Sequence, residues 1–234
     1  MEKKIVGIIG GMGPLATADL FEKIICCTRA SRDQDHLRVL IDSNTNIPDR
    51  TAALLHGGQD PTPHLVESAR LLERAGAQVL VMPCNTAHNF YDGVAAAVQI
   101  PVLHMIRITA QVLRDRGVRT AGLLATDGTI QTRAYQKIFD GSGIDLLTPE
   151  GEDQKAIMDL VYQGVKAGDL TYDARRARQT MEALLDRGAE TLILGCTELP
   201  LAVRLYHLTC PVTDPTLELA RETVRFAGGQ VLED

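Results

Sequence analysis

Along the chain, short runs of consecutive apolar residues alternate with longer stretches in which apolar positions recur every three or four residues. The first pattern predicts buried strands and the second amphipathic helices, which together give an α/β fold with parallel sheets and right-handed crossovers. Residues 4–9 predict the first strand and Gly10 to Gly13 a turn, after which Pro14 suits the first position of a helix running to about Ala30. A strand over 37–41 precedes a polar loop, 42–50, and a loose Gly/Pro region, 57–63. A helix over 64–76, a strand at 78–82, a helix over roughly 86–98 and a short strand over 101–103 complete this series. A second series opens with a helix near 105–116 and a strand at 120–126. It continues through a helix at 129–140, a strand near 144–147 and helices at about 152–167 and 172–187. A strand leading to Cys196, short elements around 198–206 and at Pro211 to Val212, and a last helix at 215–226 close the chain.

The two series resemble each other piece by piece. GIIGG at 7–11 matches GLLAT at 122–126, an offset of 115. GAQVLVMPC at 76–84 matches GAETLILGC at 188–196, an offset of 112, and IPVLHMI at 100–106 matches CPVTDPT at 210–216, an offset of 110. Three matches in one order predict an internal duplication. The expected units are 1–104 with 210–234, and 105–209. Two such units related by a pseudo-twofold axis would set equivalent strand ends on either side of one cleft.

Each series carries a cysteine at the carboxyl end of an apolar strand, Cys84 after VLVMP and Cys196 after TLILG. Open α/β sheets bind ligands at such ends. Read as packing alone, both are small core residues, which is the reading adopted for Cys26, Cys27 and Cys210. Read as chemistry, each sits at a strand-to-helix turn, where a helix N-terminus lowers a thiol pKa of about 8.5 toward neutrality. Two facing thiols suit inversion of a carbon that bears a removable proton, one acting as base while the other acts as acid. Donors aimed at the substrate carboxylate would assist, since charge develops there. Asn85, Thr86 and Thr197 follow the cysteines and Thr126 and Thr129 flank the equivalent of the first turn; all five read equally as helix N-caps.

Composition narrows the class. Of 234 residues, 45% are apolar and 23% charged, the mix of a soluble globular protein. The formal charge of -6 argues against nucleic acid or an anionic membrane as partner, and four Phe, five Tyr and no Trp leave little for base stacking. The N-terminal apolar run ends at Gly10, so neither a secretory leader nor a membrane span is expected. Five cysteines without a C-x-x-C spacing indicate neither a disulfide framework nor a metal site, which fits a cytoplasmic protein.

Four motifs, GGMGPLAT (10–17), IPDR (47–50), MPCNTAH (82–88) and LGCTELP (194–200), resemble the cofactor-independent aspartate/glutamate racemase superfamily, closest to its aspartate racemase branch. The resemblance spans essentially the whole chain. It implies two pseudo-symmetric α/β units with the active site in the cleft between them, a homodimer, no cofactor, and Cys84 and Cys196 as the acid and base. It also implies that Arg50 and Lys166 bind the substrate's carboxylates and that Met12 in the first turn contacts substrate. Read without it, Arg50 is an ordinary loop residue and Lys166 a solvent-facing charge at a helix C-terminus. Glu198 is a candidate for the substrate ammonium, although its charge would raise the pKa of Cys196. His88 either orients the Cys84 site or packs as a helix residue.

The glutamate racemases of the superfamily typically have DSG in the first turn and GCTH at the second cysteine. This chain has GGMGP and GCTE, which favours aspartate over glutamate as the expected substrate, with a glutamate or broad-specificity amino-acid racemase as the alternative. Maleate isomerase, hydantoin racemase and arylmalonate decarboxylase use related scaffolds. A different class is open too: GMGPLA at 11–16 fits a dinucleotide-binding fingerprint, but Pro14 has no N–H for a pyrophosphate and Asp42 lies beyond the usual spacing. A non-catalytic module for small acids is the remaining alternative.

Overall fold

A computed structural model describes residues 3–232 of the chain; residues 1, 2, 233 and 234, the ends of the expected first unit, lie outside the described residues. The chain divides into two compact units, Met1–Ile108 with Thr216–Asp234, and Thr109–Pro215.

The first unit contains β1 (Val6–Gly10), α1 (Pro14–Cys27), β2 (Val39–Ser43), α2 (Arg50–Leu55), α3 (Thr62–Arg74) and β3 (Val79–Val81). A 3-10 turn (Thr86–Phe90), α4 (Tyr91–Ala95) and the start of α5 (Met105–Asp115) follow. The second unit contains β4 (Thr120–Ala125), α6 (Asp127–Gln131), α7 (Gln136–Phe139), β5 (Asp145–Leu147) and α8 (Gly151–Asp159), which runs on as a π-helix over Leu160–Lys166. It ends with α9 (Arg175–Asp186), β6 (Thr191–Gly195), α10 (Leu199–Leu205) and β7 (Val212–Thr213), and α11 (Pro215–Phe226) returns to the first unit.

Both sheets are parallel. Their strand orders are β2-β1-β3 and β5-β4-β6-β7, so β1 answers to β4, β2 to β5 and β3 to β6. The counterpart of β7 in the first unit is a single parallel bridge, Leu80 to Val102, where the sequence predicts a strand over 101–103. The likeness reaches the packing. A Cβ on Gly7 would stand 2.6 Å from Leu80 Cδ2, and one on Gly122 would stand 2.6 Å from Leu192 Cδ2, so each central strand needs glycine where its neighbour's leucine crosses.

Period-two alternation sorts the first sheet's side chains onto two faces. Ile9, Leu80 and Met82 pack with Leu65, Ala69 and Leu72 of α3, whereas Val6, Ile8, Val79 and Val81 join α1 and α11. Each fully buried aliphatic side chain contributes about 1.5–3 kcal/mol. Met105 of α5 belongs to this second cluster and β7 pairs with β6. For that reason the unit boundaries fall within α5 and after β7, not at 104 and 210 as the sequence reading placed them. Cys27 faces the core, but Cys26, one helical position earlier, is exposed and not a core residue.

Several helices differ from the pattern-based expectation for local reasons. The stretch 86–98 starts as a 3-10 turn, in which Asn89 Nδ2 donates to the Thr86 carbonyl at 3.0 Å. The stretch 129–140 breaks at Arg133, whose φ is 56°, and the Thr132 hydroxyl donates back to the Gly128 carbonyl. Helix α2 arises in the polar loop because the Asp49 carboxylate accepts the Ala52 N–H at 2.7 Å, an N-cap. No described helix is long and apolar enough to cross a membrane.

Candidate active site

In the first unit the chain leaves β3 in a tight turn, with the Cys84 N–H donating to the Met82 carbonyl at 2.9 Å. Cys84, Asn85 and Thr86 are all buried. Asn85 stands at the N-cap of the 3-10 turn, but its side chain makes no capping bond there. The first turn, after β1, is closed by Thr17: its hydroxyl accepts the Gly11 N–H and donates to the Gly13 carbonyl, both at 2.9 Å. Gly11 is required here, since its φ is +90° and a Cβ would stand 2.4 Å from the Asn44 backbone. Met12, buried in this turn, offers its carbonyl to an Arg50 terminal nitrogen at 3.2 Å. Arg50 also donates to the Pro48 carbonyl at 3.0 Å and the Ile47 carbonyl at 3.4 Å. It therefore fastens the IPDR loop to the first turn, a role that sequence reasoning missed because the carbonyls it meets are far apart in the chain.

In the second unit β6 delivers Cys196 to an ionic cluster. The Cys196 thiol donates to Glu198 Oε2 at 3.0 Å, and the Thr197 hydroxyl to the same oxygen at 3.4 Å. Lys166 meets the other carboxylate oxygen at 2.9 Å. Glu198 is 4% exposed and Cys196 6%, so the carboxylate and the thiol meet out of water, whereas Lys166 is exposed. The Lys166 ammonium also lies 5.6 Å from the Tyr162 ring centroid. Lys166 is thus exposed, as its unaided reading has it, and also held against Glu198. The π-winding over Leu160–Lys166 resets its helical phase relative to α8.

This cluster overturns one expectation. Burial, chiefly, and the Glu198 charge push the Cys196 thiol well above its ordinary pKa, with Lys166 opposing them. The helix terminus does not bring it toward neutrality. Cys196 rests as a thiol. Removing the Glu198 charge with Glu198→Gln should lower that pKa and so raise the thiolate fraction at neutral pH. Cys196 should then be alkylated by iodoacetamide faster, by up to about tenfold for a pKa lower by one. Peptide mapping against time checks this, and an unchanged or slower Cys196 rate would contradict it.

Thr126 stands at the N-cap of α6 without a side-chain capping bond; its hydroxyl faces that of Thr129 at 3.3 Å. Both are buried at the end of β4, the strand equivalent to β1. The sequence reading passed over Tyr135. It is fully buried, and burial, with the Asp214 charge adding to it, raises its phenol well above the usual range. No periodicity or motif marks it.

A model of the family described as Asp/Glu/Hydantoin racemase matches residues 9–223. The chain belongs to this family. A solved structure of an aspartate racemase from Picrophilus torridus is similar at 32% identity and a TM-score of 0.84, covering 98% of this chain and 96% of that one. A broad-specificity amino-acid racemase of Bacillus subtilis is 27% identical, covering 94% of this chain and 96% of its own. A glutamate racemase of Geobacter metallireducens is 30% identical over 78% of this chain and 70% of its own. The resemblance in the four motifs and the α/β architecture with two parallel sheets therefore stand, as does membership of a family of cofactor-independent racemases.

Proposed function

We propose that the chain racemises an acidic amino acid, aspartate first, with Cys84 and Cys196 as the two proton carriers. The observation that supports this reading is a buried strand-end cysteine in each of two units of the same strand order, each followed by threonine or by asparagine and threonine. The reading requires that one substrate's Cα be reached by both sulfurs from opposite sides. For the enantiomer whose α-hydrogen faces Cys84, the Cys84 thiolate takes the proton and the C–H electron pair passes into an enolate-like carboxylate. The Cys196 thiol then gives its proton to the opposite face and becomes the thiolate. For the other enantiomer the roles reverse.

Donors from Asn85, Thr86 and Thr197 would hold the α-carboxylate where negative charge develops. Lys166 and Glu198, adjacent to Cys196, match the charges of an acidic zwitterion, Lys166 with a carboxylate and Glu198 with the ammonium. A broader amino-acid range is the second reading, favoured by the name of the Bacillus subtilis relative. Incubating L-aspartate with the protein in D2O, without pyridoxal phosphate, should place deuterium at Cα as D-aspartate accumulates. Parallel runs with L-glutamate and neutral amino acids rank the substrates. Inversion of none of them, or inversion without deuterium, would refute the proposal.

A further inference from the structure

His88 makes two bonds that fix its state. Its Nδ1 lies 2.8 Å from the Cys84 carbonyl oxygen and its Nε2 lies 3.1 Å from the Met105 nitrogen. A carbonyl only accepts and a backbone N–H only donates, so Nδ1 carries the hydrogen and Nε2 is bare. The ring is 6% exposed and packs against His104, with centroids 4.8 Å apart. Its far partner is the first residue of α5. The segment leading into α5 is itself pinned to β3, because Leu103 N–H donates to the Leu80 carbonyl at 2.9 Å and Leu80 N–H to the Pro101 carbonyl at 2.8 Å. Tyr91 adds a bond from its hydroxyl to the Val102 carbonyl at 2.8 Å.

The Cys84 peptide is therefore held from both ends, its N–H by the Met82 carbonyl and its C=O by His88. Fixing both groups fixes the plane of the turn and, with it, the direction in which the sulfur leaves the backbone. We infer that His88 is a positioning residue, whose Nδ1–H, on a buried ring packed against His104, holds the Cys84 carbonyl and so aims the Cys84 sulfur. The inference rests on the reading of Cys84 as a proton carrier, since misplacement of such a group by about 1 Å costs roughly a hundredfold in rate.

Two near-isosteric substitutions separate the bonds. His88→Asn keeps an N–H close to the place of Nδ1 and loses the acceptor to Met105. His88→Gln puts an acceptor near the place of Nε2 and loses the donor to Cys84. Iodoacetamide labelling with peptide mapping follows each cysteine, and Cys196 serves as internal control. His88→Asn should lower Tm yet leave the Cys84 labelling rate within about twofold of wild type. His88→Gln should change the Cys84 rate at least about fivefold with Cys196 unmoved, and should lower kcat for the enantiomer deprotonated by Cys84 at least tenfold with little change in KM. If His88→Gln does not fold, His88→Leu takes its place with the same expectation. Equal behaviour of the two variants, or a Cys196 rate that moves as far as that of Cys84, would overturn the inference. The labelling readout needs no turnover, so it stands apart from the racemase reading: absence of racemisation in the wild type would count against that reading alone.

Discussion

Cys84→Ala and Cys196→Ala should each reduce interconversion of the aspartate enantiomers by at least about a thousandfold, because either loss leaves one face of Cα without a proton carrier. The two variants should nevertheless differ from a denatured protein in a specific way. Each keeps one thiol, and a thiolate on one face can still remove and return the α-hydrogen of one enantiomer. In D2O, Cys84→Ala should therefore exchange the α-hydrogen of one hand of aspartate and Cys196→Ala that of the other, both with retained configuration. Cys196 rests as a thiol bonded to Glu198. Exchange supported by Cys196 alone should accordingly rise as pH is raised above neutrality, and adding Glu198→Gln should move that rise to lower pH. Chiral chromatography and the α-proton NMR signal measure both quantities. Full interconversion by either variant would remove the two-carrier mechanism.

Acidification should destabilise the fold through the first unit's histidines. Burial holds His88 down to about 4 despite the bond to the Cys84 carbonyl, and burial, His88 and Arg107 hold His104 down to about 3. Once unfolded, both return to an ordinary value near 6.5. Between pH 6.5 and 4 the unfolded chain thus binds a proton at His88 that the folded chain refuses. Stability falls as pH drops through that window and this contribution levels off below about 4, where folded His88 also charges. At about 1.36 kcal/mol per pH unit the loss at His88 is on the order of 3 kcal/mol. Urea titrations at pH 7 and pH 4 should show this loss in the wild type and a smaller one in His88→Gln, with the carboxylates common to both. Equal losses would mean that His88 titrates normally in the folded protein. The charged ring could no longer accept the Met105 N–H, though its Nδ1–H would still reach the Cys84 carbonyl.

Much of the candidate site could be read from the chain because strand-end cysteines and their threonine neighbours are local features. GAQVLVMPC and GAETLILGC show a buried run, its end and a thiol within nine residues each. What was missed is non-local or depends on competing bonds. Helix 129–140 divides because Thr132 satisfies a carbonyl of its own turn and Arg133 adopts positive φ, a competition that apolar spacing does not register. The strand expected at 101–103 shrinks to one bridge since Leu103 leads at once into α5.

The sequence by itself determined the alternation of strand and helix, the doubled order of elements, the two cysteines at strand ends and the family. These follow from periodicity and short motifs, which act over one or two turns of chain. Only the tertiary structure decided what surrounds those cysteines. Lys166 reaches Glu198 from a different helix, the Cys196 thiol is desolvated by elements remote in sequence, and the His88 ring joins the Cys84 turn to α5. A proton's affinity depends on burial and on charges in space; the Glu198 charge could be read two residues from Cys196, but burial, the larger cause, and the Lys166 charge could not.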